Sequence, residues 1–317
     1  MAHILVTEAI TGQPIDELKR SFEVAFEPDL WQHPEKLKEI LPGFEALIVR
    51  NQTQVKADLI TAGSRLRVIA RAGTGLDNID VRAATQAGIS VVSAPEQNAI
   101  SVAEMTMGLI LALARKIPAA DRDTRQDGWE RHGFTGVELF DATLGVVGLG
   151  RIGFRLALRA RAFGMHIIAH DENVNPDGVS VSELQARMLS LEQLLGQADF
   201  VSCHLPLTPE TRGLFDYETF CQMKPTAFFA NTSRGEVVDE DGLIRALQEN
   251  RIAGAALDVR QQEPPGESPL ATMDNVILTP HIAAFTRQAQ HRVVACICAD
   301  VAAVLRGEAP KNVATAL

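Results

Sequence analysis

Four short stretches of this sequence carry side chains able to do chemistry. In Asn231-Thr-Ser-Arg-Gly235 an arginine follows directly on an apolar run. A guanidinium there could grip a carboxylate through two parallel hydrogen bonds, although taken alone it could equally be a surface arginine in a loop. Ala256-Leu-Asp-Val-Arg-Gln-Gln-Glu-Pro264 ends another apolar run with Asp258 and then Glu263, each by itself an ordinary loop carboxylate. Ile277-Leu-Thr-Pro-His281 places a histidine just past a proline, where a rigid turn would fix the ring. A lone histidine is more often structural than catalytic. Arg71-Ala-Gly-Thr-Gly-Leu-Asp-Asn-Ile-Asp80 is a glycine turn that could present bare N–H groups to an anion.

A fifth stretch tells what these groups could serve. Thr143-Leu-Gly-Val-Val-Gly-Leu-Gly-Arg-Ile-Gly153 is a short apolar strand running into Gly148, Gly150 and Gly153, where a helix opens. The first glycine of such a pattern makes a tight turn, the second lets backbone approach a pyrophosphate, and the third allows close packing of helix on strand. Ile152, Leu156, Ala160 and Phe163 recur at helical spacing, Gly164 is a suitable stop, and a strand over 165–169 leads to Asp171. An acid at that distance holds the adenosine ribose of a dinucleotide. A histidine, a carboxylate to pair with it, an arginine and a dinucleotide loop, all at strand ends, are what hydride transfer to a 2-oxo acid needs.

The elements that must position these groups alternate along the chain. Apolar runs at 3–7, 46–50, 67–70 and 89–92 are separated by helical stretches such as 34–41 and 81–87, which predicts a parallel sheet with crossover helices. The same rhythm resumes at 143–147 and continues at 200–204, 227–231, 254–259 and 276–279. The expected fold is therefore α/β, with two doubly wound parallel-sheet domains, the larger a Rossmann-type NAD-binding domain. Ser101 and Glu104 are spaced as a capping box for a helix running to Lys116, and 118–140 reads as polar and irregular. The helix 288–306 has no strand after it, and its periodicity does not reveal which domain it joins.

A length of 317 residues suits two domains. A net charge of −10 disfavours nucleic acid and anionic membranes as partners, while leaving room for a local basic pocket. No basic leader precedes the first strand at 1–7, and the longest apolar run, 105–114, is too short to span a bilayer, so a cytoplasmic protein is expected. Cys203, Cys221, Cys296 and Cys298 lack metal-finger spacing and lie in apolar surroundings, which predicts buried free thiols and no metal.

The ordered set Gly73-Thr-Gly-Leu-Asp-Asn-Ile-Asp80, Ser101-Val-Ala-Glu104, the glycine loop, His204-Leu-Pro-Leu-Thr208, Asn231-Thr-Ser-Arg-Gly235, Asp258 with Glu263-Pro264, and Thr279-Pro-His281 resembles the D-isomer-specific 2-hydroxyacid dehydrogenase family. Through Arg71-Ala-Gly-Thr-Gly75 and Trp129-Glu-Arg131 the likeness is greatest to the branch acting on 3-phosphoglycerate, without the regulatory domain that some of its members append. The resemblance implies a substrate domain of 1–97 and 288–317, a dinucleotide domain of 98–287, NAD as cofactor, a small 2-hydroxy or 2-oxo acid as substrate, and a homodimer. It implies His281 as general base, Glu263 favouring the charged imidazole, and Arg234 on the substrate carboxylate. Cofactor contacts are expected from Thr74, Gly148, Gly150, Arg151, Ile152, Gly153, Asp171, Leu205 and Thr232, with Asp258 orienting the nicotinamide amide. Substrate contacts are expected from Thr74, Gly75 and Arg234, and a second anionic group from Arg50, Arg71 and Arg131. The run Ile282-Ala-Ala-Phe-Thr286 departs from the small residues usual after the histidine, so Phe285 would narrow the pocket. Glyoxylate, hydroxypyruvate or sulfolactate are alternative substrates, and a nucleotide-sensing corepressor is the alternative of another class.

Overall fold

The computed structural model describes residues 3–314. Met1 and Ala2 of the expected first strand and residues 315–317 of the expected closing segment lie outside the described residues. The chain forms two compact units, one made of Met1–Asn98 with Phe285–Leu317, the other of Ala99–Ala284.

The discontinuous unit is built on five parallel strands, β1 His3–Val6, β2 Glu23–Phe26, β3 Ala46–Val49, β4 Val68–Arg71 and β5 Ser90–Val92, in the order β2-β1-β3-β4-β5. Glu23–Phe26 is an edge strand not expected from the sequence, because its side chains are only partly buried and its apolar run, Val24-Ala25-Phe26, is just three residues long. The interior strands are buried on both faces and so read as continuous apolar segments. One face is covered by Gln13–Ser21 and by the long helix Arg287–Arg306, whose Val293, Val294, Ile297 and Val301 pack with Ile4, Val6 and Ile48. The C-terminal helix thus completes the core of the N-terminal unit.

The second unit holds seven parallel strands, β6 Thr143–Val147, β7 His166–His170, β8 Arg187–Met188, β9 Phe200–Cys203, β10 Phe228–Asn231, β11 Gly254–Leu257 and β12 Val276–Leu278, in the order β12-β11-β10-β9-β6-β7-β8. Chain order reverses between β6 and β9, and ligands of open parallel sheets bind outside the carboxyl ends of the strands at such a point. One face is packed by Leu156, Ala157 and Ala160 of the helix Arg151–Ala162, together with Met107 and Ile110; the other carries Phe215, Phe220 and Phe229.

Five local expectations differ from the structure. The helix Ala99–Ala114 begins two residues before Ser101, which is buried within it, so Ser101 is no cap, and Glu104 turns outward to pair with Arg159 at 3.0 Å. That helix stops short of Lys116, which takes a left-handed φ of 52°, and Pro118 starts a further helix, Ile117–Arg125, within the stretch expected to be irregular. Proline tolerates the first turn of a helix but not its interior. Phe163 falls beyond the end of Arg151–Ala162 and is 43% exposed, because Gly164 at φ 76° turns the chain there. Finally, Cys203 and Cys298 are buried but Cys221 is exposed and Cys296 intermediate, all four being free thiols. Among the described residues no helix is long and apolar enough to cross a membrane.

Candidate active site

The glycine loop sits at the reversal point of the larger sheet. Gly148 follows β6 with φ 94°, a conformation that L side chains rarely adopt, and a Cβ there would stand 2.9 Å from the His204 carbonyl carbon at the end of β9. Leu205 lies beside the same loop. A Cβ at Gly153 would run into the Gly148 carbonyl oxygen and Val146, so the helix can lie this close only on a hydrogen atom. Gly150, by contrast, has nothing within 4 Å of where a Cβ would be. No side chain caps the helix that opens at Arg151, and the N-terminus of a helix favours phosphate oxygens. Asp171 follows β7 and is more than an acid at the expected distance: its Oδ2 accepts from Leu149 N at 2.8 Å and its Oδ1 from Asn173 N at 2.9 Å, tying the second strand to the glycine loop. Open space over Gly150, an uncapped helix start and a fixed acid beyond it fit a dinucleotide. Thr232 is buried with its hydroxyl 2.8 Å from that of Thr106, so that hydroxyl is engaged within the core.

The histidine turn lies at the carboxyl ends of β11 and β12. His281 Nδ1 is 2.7 Å from Glu263 Oε2. With the proton on Nδ1, the carboxylate fixes the ring and leaves Nε2 as the nitrogen able to exchange a proton. Burial alone would push the Glu263 carboxyl up. The hydrogen bond and charge of His281, the Arg260 backbone N–H and the Arg234 charge outweigh it, so Glu263 lies below its usual value. His281 itself has a left-handed φ of 53°. That conformation costs a non-glycine residue about 1–3 kcal/mol and persists only where its surroundings over-determine it. Asp258 supplies the constraint. Its carbonyl accepts from His281 N at 2.7 Å, its Oδ1 from the Thr279 hydroxyl at 2.5 Å and from Ile282 N at 2.9 Å, and its Oδ2 from Ala283 N at 2.8 Å. Asp258 is 1% exposed, so the carboxylate belongs structurally to the histidine turn.

Arg234 follows β10 in a loop tied by Asn231, whose Nδ2 donates to the Arg234 carbonyl at 2.9 Å while its Oδ1 accepts from Ser233 N and Oγ. Arg234 Nη1 donates to the Ser233 carbonyl at 2.7 Å. In the turn after β11, Arg260 is buried and forms a bidentate ion pair with Glu240, at 3.0 and 2.7 Å. Neither member was singled out from sequence, where each is one charged residue among many. His204, also beyond the sequence reading as a side chain, lies 2.9 Å by Nε2 from the Ser202 hydroxyl, and burial lowers its imidazole to about 4.

In the smaller sheet, the order reverses between β1 and β3, and Arg50 stands there. Glu8, buried and missed from sequence, accepts from Arg50 N at 2.7 Å, Thr53 N at 3.0 Å and the Thr53 hydroxyl at 2.8 Å. Arg50 Nη2 donates to Gln290 Oε1 at 2.5 Å, and its guanidinium lies over the Phe285 ring at 5.5 Å. Burial lowers the Arg50 guanidinium against an opposing pull from Glu8. The Arg71 guanidinium occupies the space where a side chain at Gly73 would be, which explains the first glycine of that turn. Thr74 donates its hydroxyl to Asn98 Oδ1 at 2.9 Å, and Gly75 follows it. Arg131, beside Trp129, is exposed in the second unit.

A doubly wound sheet with an open glycine loop, an acid beyond it and a histidine–carboxylate pair at neighbouring strand ends defines a dinucleotide-binding protein of the Rossmann class. Residues 107–283 match the family model "D-isomer specific 2-hydroxyacid dehydrogenase, NAD binding domain". The chain belongs to that family. It is 44% identical over 313 residues to D-3-phosphoglycerate dehydrogenase of Methanocaldococcus jannaschii, covering 99% of this chain and 59% of the relative. It therefore spans about three-fifths of that relative's length. Among solved structures it superposes on TT0316 protein from Thermus thermophilus with a TM-score of 0.92 at 35% identity, covering 99% and 100% of the two chains. D-lactate dehydrogenase from Aquifex aeolicus, complexed with NAD and lactic acid, gives 0.85 at 30% identity over 96% of each chain.

Proposed function

We propose that the protein is an NAD-dependent dehydrogenase acting on a D-2-hydroxy acid that carries a second anionic group, with 3-phosphoglycerate and 3-phosphohydroxypyruvate as the pair it turns over best. The observation that carries the reading is the 2.7 Å contact between His281 Nδ1 and Glu263 Oε2. It presents a histidine able to exchange a proton at the carboxyl edge of the sheet whose β6 runs into the dinucleotide loop. The unit Ala99–Ala284 would hold the cofactor through Gly148, Gly150, Arg151, Ile152, Gly153, Asp171, Leu205 and Thr232. The bound nicotinamide supplies hydride chemistry. In oxidation His281 Nε2 takes the hydroxyl proton as the carbon gives up its hydride, and in reduction the imidazolium returns that proton to the carbonyl oxygen. Glu263 stabilises the imidazolium. Arg234 binds the substrate carboxylate and polarises the carbonyl.

Arg50, Arg71 and Arg131 receive the second anion, three cations in a protein of net charge −10. A second substrate reading follows from Phe285 and Gln290. The ring covers one face of the Arg50 guanidinium and the amide takes its Nη2, leaving less of it for a phosphate and favouring small tails such as those of glyoxylate or hydroxypyruvate. Sulfolactate is the competitor among charged acids. The protein works in the cytoplasm as a homodimer. The exposed Trp129 (80%), Phe140 (74%) and Val137 (48%) support a partner surface on the second unit.

The test is the NADH absorbance change with a panel of 2-oxo acids. The phosphorylated acid should show the highest kcat/KM, and Arg50→Ala and Arg131→Ala should erase that preference mainly through KM. Equal turnover of uncharged-tail acids refutes the anionic-tail reading. No turnover of any acid, with NADH still bound, would favour a sensor.

A further inference from the structure

We infer that the buried Arg260–Glu240 ion pair is a positioning device for the Glu263–His281 pair. Glu263 lies on the exposed side of the turn that follows β11, where a carboxylate has no intrinsic reason to face the histidine. Two contacts aim it: Oε2 meets His281 Nδ1 at 2.7 Å, and Oε1 accepts from the backbone N–H of Arg260 at 3.1 Å. The direction of the carboxylate therefore depends on where the Arg260 backbone stands. Its side chain settles that. Arg260 Nε and Nη2 reach Glu240 Oε1 and Oε2 at 3.0 and 2.7 Å, and Glu240 Oε1 also accepts from Gln261 N at 2.6 Å. One carboxylate on the first turn of the helix Glu240–Gln248 thus holds both the side chain of residue 260 and the amide of residue 261.

The side chains of Arg260 and Glu240 are 8% and 17% exposed. Desolvating two charges consumes most of their attraction, so such a pair is weak evidence for net stability and is better understood as fixing a geometry. The far side of the turn is fixed as well. Gly235 packs directly on the Arg260 carbonyl with no room for a Cβ. The turn carrying Glu263 is therefore packed against the residue that follows Arg234.

The inference rests on the dehydrogenase reading, and its test separates the two. Arg260→Met, Glu263→Gln and the double variant are assayed beside the wild type for NADH-linked turnover of 3-phosphohydroxypyruvate and glyoxylate. The imidazole resonances of the unliganded proteins are followed by long-range 1H–15N NMR. Arg260→Met should lower kcat about 10- to 100-fold, as displacement of a positioned group does, while KM and NADH affinity stay near wild type. Added to Glu263→Gln it should cost no more than about a further twofold, because the two changes remove one interaction. Its His281 resonances should move to those of Glu263→Gln. A kcat within about twofold of wild type, a loss that multiplies in full with that of Glu263→Gln, or unmoved His281 resonances would each overturn the inference. If Arg260→Met does not fold, Glu240→Asp, which keeps the charge but shortens the arm, is judged by the same outcomes. A wild type that turns over no acid defeats the dehydrogenase reading, while the NMR comparison still decides the positioning role.

Discussion

Asp258→Asn is the substitution that most directly probes how His281 is held. The carboxylate accepts the Thr279 hydroxyl and Ile282 N on one oxygen and Ala283 N on the other. An asparagine keeps one acceptor. With its oxygen turned to Thr279 and Ile282, its amide N–H groups face the Ala283 N–H, leaving a buried donor opposed to a donor. An unsatisfied buried polar group costs about 1–3 kcal/mol, so two such groups make a loss of roughly 2–6 kcal/mol. The φ of 53° at His281, previously held by this network, can then relax. For a unit the size of Ala99–Ala284, 1 kcal/mol corresponds to about 2–4 °C, so Tm should fall by roughly 4–24 °C. The release of His281 should lower kcat on the order of 10²-fold with little change in NADH affinity. Differential scanning calorimetry, NADH fluorescence titration and steady-state kinetics measure the three quantities. A Tm within about 2 °C of wild type would refute the argument for the network. A defect confined to NADH binding would show that the carboxylate serves the nicotinamide amide instead.

His281→Asn should bind NADH nearly as well as wild type but lose about 10²–10⁴-fold in kcat, and near-normal turnover would exclude it as the proton carrier. Asp171→Ala should weaken NADH binding and narrow the preference over NADPH, since a carboxylate accepts from the ribose hydroxyls and repels a 2′-phosphate; comparable kcat/KM for both cofactors in the wild type would contradict that role. Acid sensitivity should be traceable to His204. Its imidazole lies at about 4 in the folded protein against 6.5 when free. Its contribution is therefore fully present above about 6.5 and is lost as pH falls toward 4, amounting to roughly 3 kcal/mol. Urea unfolding of His204→Gln should show a flatter stability profile over that window, and a profile parallel to wild type would dismiss the assignment.

Much of the larger unit was legible in the sequence because its signals are local. A buried parallel strand is a short apolar run, and a glycine whose Cβ position is filled by backbone has no substitute, so β6, Gly148, Gly153 and Asp171 announce themselves. The residues at the strand ends were likewise visible as types: Arg234, Glu263 and His281 each follow an apolar segment. What periodicity alone left open was the place of the helix Arg287–Arg306, because an amphipathic face states that it must be covered and not by what. The edge strands Glu23–Phe26 and Arg187–Met188 were passed over for a related reason, being too short or too exposed to carry an apolar pattern.

Only the tertiary structure decided how the chemistry-bearing side chains are held. Glu8 and Arg50 are 42 residues apart, and Glu240 and Arg260 are 20 apart. Nothing in either spacing distinguishes these pairs from solvated surface charges. They meet because strand order brings distant loops to one sheet edge, and burial there makes an unpaired charge too costly to leave. The role of Asp258 shows the same division. Its position after β11 marked it from sequence as a residue at a strand end, whereas its hydrogen bonds to the histidine turn exist only once β11 and β12 are paired. Hydrophobic pattern and glycine chemistry are properties of neighbours along the chain; hydrogen-bond partnership is a property of neighbours in space, and the sheet is what converts one into the other.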